Sequence, residues 1–330
     1  PSRARMHDIL TREHERGLQF NHADIDAMPG QCPGCEFGKP HRHPFKGTHD
    51  PELRGDREVV VYMDAFGPTR TAVRGGHHGR SKNIHYAMIF VTRRSRTSFA
   101  YPMAAIGQTK QIIATFLLDY LAEYGHYPTA LFADQASVNK SKEVKAYCNS
   151  KGVKLTGGAP HASSSNMAER YIKTIMDIAR CMLHHTDVGE KYPELWWYAV
   201  DTANHIRNRM PCKGNPGGKS PYHMEHGEPP DNSYFREWGS TAYDFLPHDA
   251  KRTARSESLA RAARKGIFVG YDTTSNSKSY LIFFPDSTDK RGKPTPKVLT
   301  CRDVRFFSPG SAPRSDVTDA EFRKARRDLL

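Results

Sequence analysis

Two aspartates and a glutamate carry the strongest chemical signal in this chain. Asp64 ends the apolar run Val59-Val-Val-Tyr-Met63, Asp134 ends the run Ala130-Leu-Phe-Ala133, and Glu169 follows with 34 residues between it and Asp134. Each run reads as a strand buried on both faces. If the two strands are parallel neighbours, both aspartates emerge at one edge of a sheet, where open α/β sheets bind ligands. Glu169 falls near the start of a helical pattern, with Lys173 four residues on and so on the same side. Three carboxylates at one edge repel unless a cation neutralises them, and hard oxygen donors select Mg²⁺ or Mn²⁺. Two such ions about 4 Å apart suit in-line phosphoryl transfer. A structural alternative stands beside this: aspartates form turns at strand ends, and Asn166 with Glu169 has capping-box spacing.

A second constellation is Cys32-Pro-Gly-Cys35. Its two-residue spacing lets both thiolates hold one tetrahedral Zn²⁺. His7, His14 and His22 precede the pair, and a solvent-exposed polar role is expected for them. His41 and His43 follow among basic residues and suit a linker that faces nucleic acid. The other cysteines, Cys148, Cys181, Cys212 and Cys301, are scattered singly, which fits a reducing compartment and not a disulfide framework.

The elements that must position these residues follow from periodicity. Residues 1–57 are polar and broken by Pro29, Pro33, Pro40, Pro44 and Pro51, so a small module plus linker is expected there. Strand-like runs cover 58–64, 85–92 and 97–103, and a helix is expected over 108–124 between Gly107 and Gly125. The 130–134 strand, a helix over 142–150 and a short strand over 153–156 come next. A long helix then carries Ala168, Ile172, Ile175, Met176, Ala179, Met182 and Leu183 on one stripe. Strands first and then strands alternating with helices imply an α/β class with a mixed sheet, spanning 58–212. Its last helix is expected over 190–208. Residues 213–265 read as an extended connector, 266–310 as a small β-rich module, and 311–330 as a charged tail.

Charge points to a polyanionic partner. The formal net charge is +13 with 49 Lys and Arg, and residues 251–330 hold 18 Lys and Arg against 9 Asp and Glu. The C-terminal quarter is therefore the strongest electrostatic footprint. No apolar run approaches the ~18 residues of a membrane span. The opening Pro-Ser-Arg-Ala-Arg leads into no apolar segment, so a soluble chain without secretory signal or membrane partner is expected.

The order and surroundings of the acids resemble the integrase region of copia-class LTR retrotransposon Pol polyproteins. Tyr62-Met-Asp64-Ala-Phe-Gly-Pro68 is similar to that family's first-acid motif, and Phe132-Ala-Asp134 with Val144-Lys-Ala-Tyr-Cys-Asn-Ser-Lys-Gly152 to its second. Asn166-Met-Ala-Glu169-Arg-Tyr-Ile172-Lys173, continuing to Leu183, resembles the helix bearing the third acid. Further matches run through Asn208-Arg-Met-Pro211, Ser220-Pro-Tyr222 and Phe268-Val-Gly-Tyr271 to Cys301-Arg-Asp-Val-Arg-Phe306. The chain departs at Gln135-Ala-Ser-Val138, which lacks the Gly and acid often found after the second aspartate, and at Met167, where Gly is usual.

The resemblance implies an RNase H-like core and a DDE-type polynucleotidyl transferase that inserts element cDNA 3′ ends into target DNA. Asp64, Asp134 and Glu169 would be catalytic and would hold Mg²⁺ or Mn²⁺. Asn166, Lys173 and Arg180 would hold DNA, and the basic C-terminal module would bind more DNA nonspecifically. It further implies a homo-oligomer, other Pol products as partners, and work in the nucleus and in cytoplasmic virus-like particles. In that family two histidines before Cys32 and Cys35 complete the zinc site, the second usually followed by Pro-Ser. Because this sequence opens with Pro1-Ser2, those histidines are expected upstream of it. Two other readings of the same residues are a hydrolytic RNase H-like nuclease and a catalytically decayed or domesticated copy that only binds DNA.

Overall fold

Five short strands, the central ones buried on both faces, build the sheet that frames the acids. The computed structural model describes residues 6–7, 10–11, 21–27, 59–69, 83–133, 142–157, 167–246, 262–273, 279–288 and 291–306. The chain divides into two units, the first ending at Phe235 and the second starting at Arg236. Within the first unit, a short helix α1 (His22–Ala27) precedes β1 (Val60–Phe66), β2 (Tyr86–Thr92) and β3 (Ser98–Met103). Helix α2 (Thr109–Tyr124), β4 (Ala130–Ala133), α3 (Lys142–Ser150) and β5 (Lys154–Gly157) follow. The sheet order is β3-β2-β1-β4-β5. β1, β2 and β3 pair antiparallel, whereas β4 and β5 run parallel to β1. This is the mixed sheet flanked by helices expected for an RNase H-like core.

Side chains on a strand alternate between faces, and here the alternation is visible in what each residue touches. Val61, Met63, Met88, Phe90, Leu131 and Ala133 share one core with Ile113, Phe116, Leu117 and Tyr120 of α2 and with Val144 and Cys148 of α3. Phe90 and Phe116 stack with ring centroids 3.9 Å apart. Fully burying such a side chain contributes roughly 1.5–3 kcal/mol. α2 ends because Gly125 takes a left-handed φ of 74° and returns its N–H to the Leu121 carbonyl.

The opposite face is covered by α4 (Met167–His185), which packs on β1 and β2, and by α6 (Trp196–Arg209), which packs on α4 and β3. The buried residues of α4 include Ala168, Tyr171, Ile175 and Ala179. Its buried stripe is thus rotated from the expected one, because Tyr171 turns inward while Ile172, Met176, Met182 and Leu183 are half-buried. The single helix expected over 190–208 is instead α5 (Val188–Lys191), a 3₁₀ turn (Pro193–Leu195) and α6. Pro193 cannot continue a helix but starts one well. α6 is fastened to the edge strand by amides: Asn204 and Asn208 both donate to the Ser98 carbonyl, at 3.1 and 2.7 Å.

Residues 213–265, expected as an extended connector, carry structure. A 3₁₀ turn (Pro216–Gly218) leads to α7 (Pro221–His226), whose N-terminus Ser220 caps by accepting the His223 N–H at 3.1 Å. Further on, β6 (Thr241–Phe245) and the start of β7 (Ala263–Asp272) belong to a sheet. That sheet makes the second unit, with β8 (Ser279–Phe284), β9 (Lys297–Cys301) and β10 (Val304–Phe306), in the antiparallel order β10-β6-β7-β8-β9. A register shift between Phe268 and Gly270 bulges β7, and the Val269 carbonyl there accepts the Trp238 indole N–H at 2.9 Å. The charged tail over 311–330 lies outside the described residues. No described helix is long and apolar enough to cross a membrane.

Candidate active site

Asp64 sits in β1 opposite Ile89 of β2, half-buried, and its Oδ1 accepts the Ala65 N–H at 2.8 Å. Because Val61 and Met63 point into the α2 core, alternation puts Asp64 on the other face with Val60, Tyr62 and Phe66. Two ring contacts mark that face. Tyr62 meets Phe132 of β4 at 5.1 Å, and Phe66 meets Trp196 of α6 at 6.2 Å. Asp64 therefore lies on the face that α4 covers, and Glu169 is in the first turn of α4. Glu169 and Lys173 are both exposed, one turn apart on the same side of the helix.

The parallel pairing of β1 with β4 puts Met63 opposite Ala133, and in the sequence Asp134 comes next. Asp134 itself, with Asn166, Cys32, Cys35 and His14, lies outside the described residues. Arg180 is committed to an ion pair within α4: its Nη2 donates to Asp177 Oδ1 at 2.8 Å, and the Asp177 side chain is buried.

The N-terminal turn of α4 is held by a contact that the sequence did not announce. Arg207 of α6 donates from Nη2 to the Tyr171 hydroxyl at 2.9 Å, with its guanidinium 4.7 Å from the centre of that ring. Hydrogen bonds to a charged group contribute about 1.5–3 kcal/mol. Arg207 is buried, whereas an isolated arginine in a sequence reads as a solvated base. Only its place after an aromatic, buried helix stretch could have pointed to it.

Among the described residues, no three His, Cys, Asp or Glu side chains converge as a metal site. His7 Nδ1 lies 2.7 Å from His22 Nδ1, and His7 Nε2 lies 3.1 Å from Asp26 Oδ1. Asp26 can only accept when ionised, so it takes the His7 Nε2–H. A neutral His7 then accepts at Nδ1 from His22.

No family model matches the chain. Its sequence is similar to those of retrovirus-related Pol polyproteins from transposons. It is 23% identical over 311 residues to the Retrovirus-related Pol polyprotein from transposon RE2 of Arabidopsis thaliana, covering 93% of this chain and 19% of the relative. To the corresponding polyprotein from transposon RE1 of the same plant it is 24% identical over 277 residues, covering 83% of this chain and 17% of the relative. The chain thus spans about a fifth of the length of these relatives. Among solved structures, the HTLV-2 integrase catalytic core domain in complex with magnesium aligns with 52% of this chain and all of its own. Its TM-score is 0.36 and its identity 17%. The fold stands on strand order and pairing, not on that superposition.

Proposed function

We propose that this chain is the integrase region of a retrotransposon Pol polyprotein and joins element cDNA 3′ ends to target DNA. The observation that carries the reading is one face of one strand: β1 bears Asp64 toward the helix whose first turn bears Glu169, and β1's parallel neighbour leads into Asp134. Asp64, Asp134 and Glu169 are the acids of this reading. Their oxygen donors fit a hard divalent ion, and Mg²⁺ or Mn²⁺ bound there would supply the positive charge that phosphoryl transfer needs.

In strand transfer, the cDNA 3′-hydroxyl oxygen attacks a target phosphorus. A new phosphodiester forms and the target P–O3′ bond breaks, leaving a target 3′-hydroxyl. No covalent enzyme intermediate is required. The Ala65 amide orients the Asp64 carboxylate, and the Arg207–Tyr171 contact fixes the turn that carries Glu169. Lys173 reaches solvent beside Glu169 and serves as a phosphate contact, as does Asn166 in this reading. Arg180 reaches DNA as part of its pair with Asp177. Zinc held by Cys32 and Cys35, a homo-oligomer, other Pol products as partners, and work in the nucleus and in virus-like particles complete the proposal.

A strand-transfer assay with preprocessed DNA ends and Mg²⁺ tests it. With the donor strand labelled, joined products longer than that strand are expected. Cleaved products without joining would mean a hydrolytic nuclease, and DNA binding without either product would mean a decayed copy.

A further inference from the structure

Cys212 follows the Asn208-Arg-Met-Pro211 segment and is used by neither the proposed reaction nor a disulfide. It is buried, with 6% of its surface exposed. Around its sulfur the first unit assembles donors from separate elements. Arg207 Nη2 of α6 lies 3.4 Å from Sγ, and the Tyr171 hydroxyl of α4 lies 3.8 Å away. The Tyr171 hydroxyl accepts from Arg207 and so can donate onward to the sulfur. The Gly214 amide also points at it. A second guanidinium, that of Arg96 in the turn between β2 and β3, lies so close over Gly214 that a Cβ there would overlap it.

A buried thiol ordinarily stays protonated. Burial pushes Cys148 up to about 11, and burial with Asp244 pushes Cys301 up to about 12. Burial pushes Cys212 up too, but the Arg207 charge and hydrogen bond, the Gly214 amide and the Tyr171 hydroxyl outweigh it and hold the thiol below its ordinary value. The thiolate is the reactive form. One observation points beyond the thiolate itself: Arg207 is 6% exposed, and its Nη1 has no hydrogen-bond partner among the described residues. An unmet buried donor is unfavourable, and this one sits on the same guanidinium that binds the sulfur.

We propose that Cys212 is a modification site for small peroxide oxidants, at which a sulfenate oxygen added to the sulfur is held by the Arg207 guanidinium. In the reaction the thiolate sulfur attacks one peroxide oxygen and the O–O bond breaks. The other oxygen leaves as hydroxide and takes the sulfenic acid proton to become water, and the sulfur, oxidised by two electrons, carries the new S–O bond as the sulfenate. Fixing that oxygen on a guanidinium slows its further oxidation. The site is independent of strand transfer and stands whether or not the chain joins DNA.

The test treats the folded chain with graded hydrogen peroxide, traps sulfenic acid with dimedone and maps each cysteine by peptide mass spectrometry. Cys212, 6% exposed, is expected to be labelled at least tenfold faster than Cys301, which is matched to it at 5%, and faster still than the fully buried Cys148. Labelling of Cys212 no faster than theirs overturns the proposal. Tyr171→Phe, which keeps the ring and removes one donor, is expected to slow labelling of Cys212 while leaving the thermal midpoint within a few degrees. Should Arg207→Gln fold, its Cys212 is expected to lose the advantage. If that variant fails to fold, the pH profile of iodoacetamide alkylation in the unaltered chain decides. A Cys212 midpoint below that of free cysteine supports the site, and one above it refutes the site.

Discussion

Met63 and Ala133 stand opposite one another on the parallel strands β1 and β4, and the next residue after each is an aspartate. Removing charge at either aspartate separates a metal ligand from a turn former. Asp64→Asn and Asp134→Asn are expected to lower strand transfer by about 100-fold or more, since even partners behind a ligand typically cost 10- to 100-fold. Thermal midpoints should hold or rise slightly, because repulsion between carboxylates is relieved. Glu169→Gln is expected to behave alike, although a capping box would tolerate it. Activity near that of the unaltered chain for any one variant, measured in Mg²⁺ with preprocessed ends, removes that acid from the set.

The second unit should carry much of the DNA affinity. Residues 236–330 hold 19 Lys and Arg against 12 Asp and Glu. A cut at 251 would strip β6 of its partner β7, so the clean truncation ends at Phe235. That variant is expected to bind DNA more weakly and to flatten the slope of log affinity against log salt by about 2 or more, the loss of two or more phosphate contacts. An unchanged slope would place the contacts elsewhere.

Much of this architecture is legible in the sequence because local pattern and tertiary role agree. Val59 to Met63 is an apolar run in a strand with the α2 core on one face and α4 on the other, Ala130 to Ala133 is its apolar parallel neighbour, and the stretch 109–124 shows its stripe directly. Where packing overrides pattern, the reading fails. β6 holds a buried Asp244, to which Arg264 from the adjoining strand donates at 2.8 Å, and an isolated acid in a five-residue run does not announce a strand. Tyr171 and Arg207 are mutually dependent in the same way, each burying a polar group that the other satisfies. The resemblance supplied the grouping of Asp64, Asp134 and Glu169, which spacing alone left beside a turn-and-cap reading.

The Asp244–Arg264 pair gives a stability prediction for the second unit. Arg264 also lies flat on Phe284, 3.8 Å from its ring centre. Arg264→Ala removes the cation, the stacking and the partner of a buried carboxylate, and is expected to cost about 2–4 kcal/mol. Urea unfolding followed by Trp238 fluorescence, with the other tryptophans replaced, reads it. A loss under about 0.5 kcal/mol, the scale of an ordinary surface change, would refute the coupling.

His205 of α6 makes stability depend on pH. Arg209 Nη1 lies 3.1 Å from its Nδ1, and the Tyr234 hydroxyl lies 2.9 Å from its Nε2. Arginine only donates, so Nδ1 is the acceptor and Nε2–H donates to Tyr234, which fixes a neutral ring. Burial first, and then the Arg209 charge, hold its pKa well below the ordinary histidine value. Below about 6.5 the unfolded chain takes up a proton that the folded chain refuses. Stability from this residue is therefore complete above that pH and falls as pH drops toward the folded value, by at most about 1.4 kcal/mol per unit. Glutamine offers a carbonyl to Arg209 and an N–H to Tyr234 without titrating. The expected result is that His205→Gln unfolds at a urea midpoint less sensitive to pH between 7.5 and 5.0 than the unaltered chain. The other histidines titrate in both proteins and cancel in the comparison. Parallel midpoint curves for the two proteins would mean that His205 takes up its proton as readily folded as unfolded.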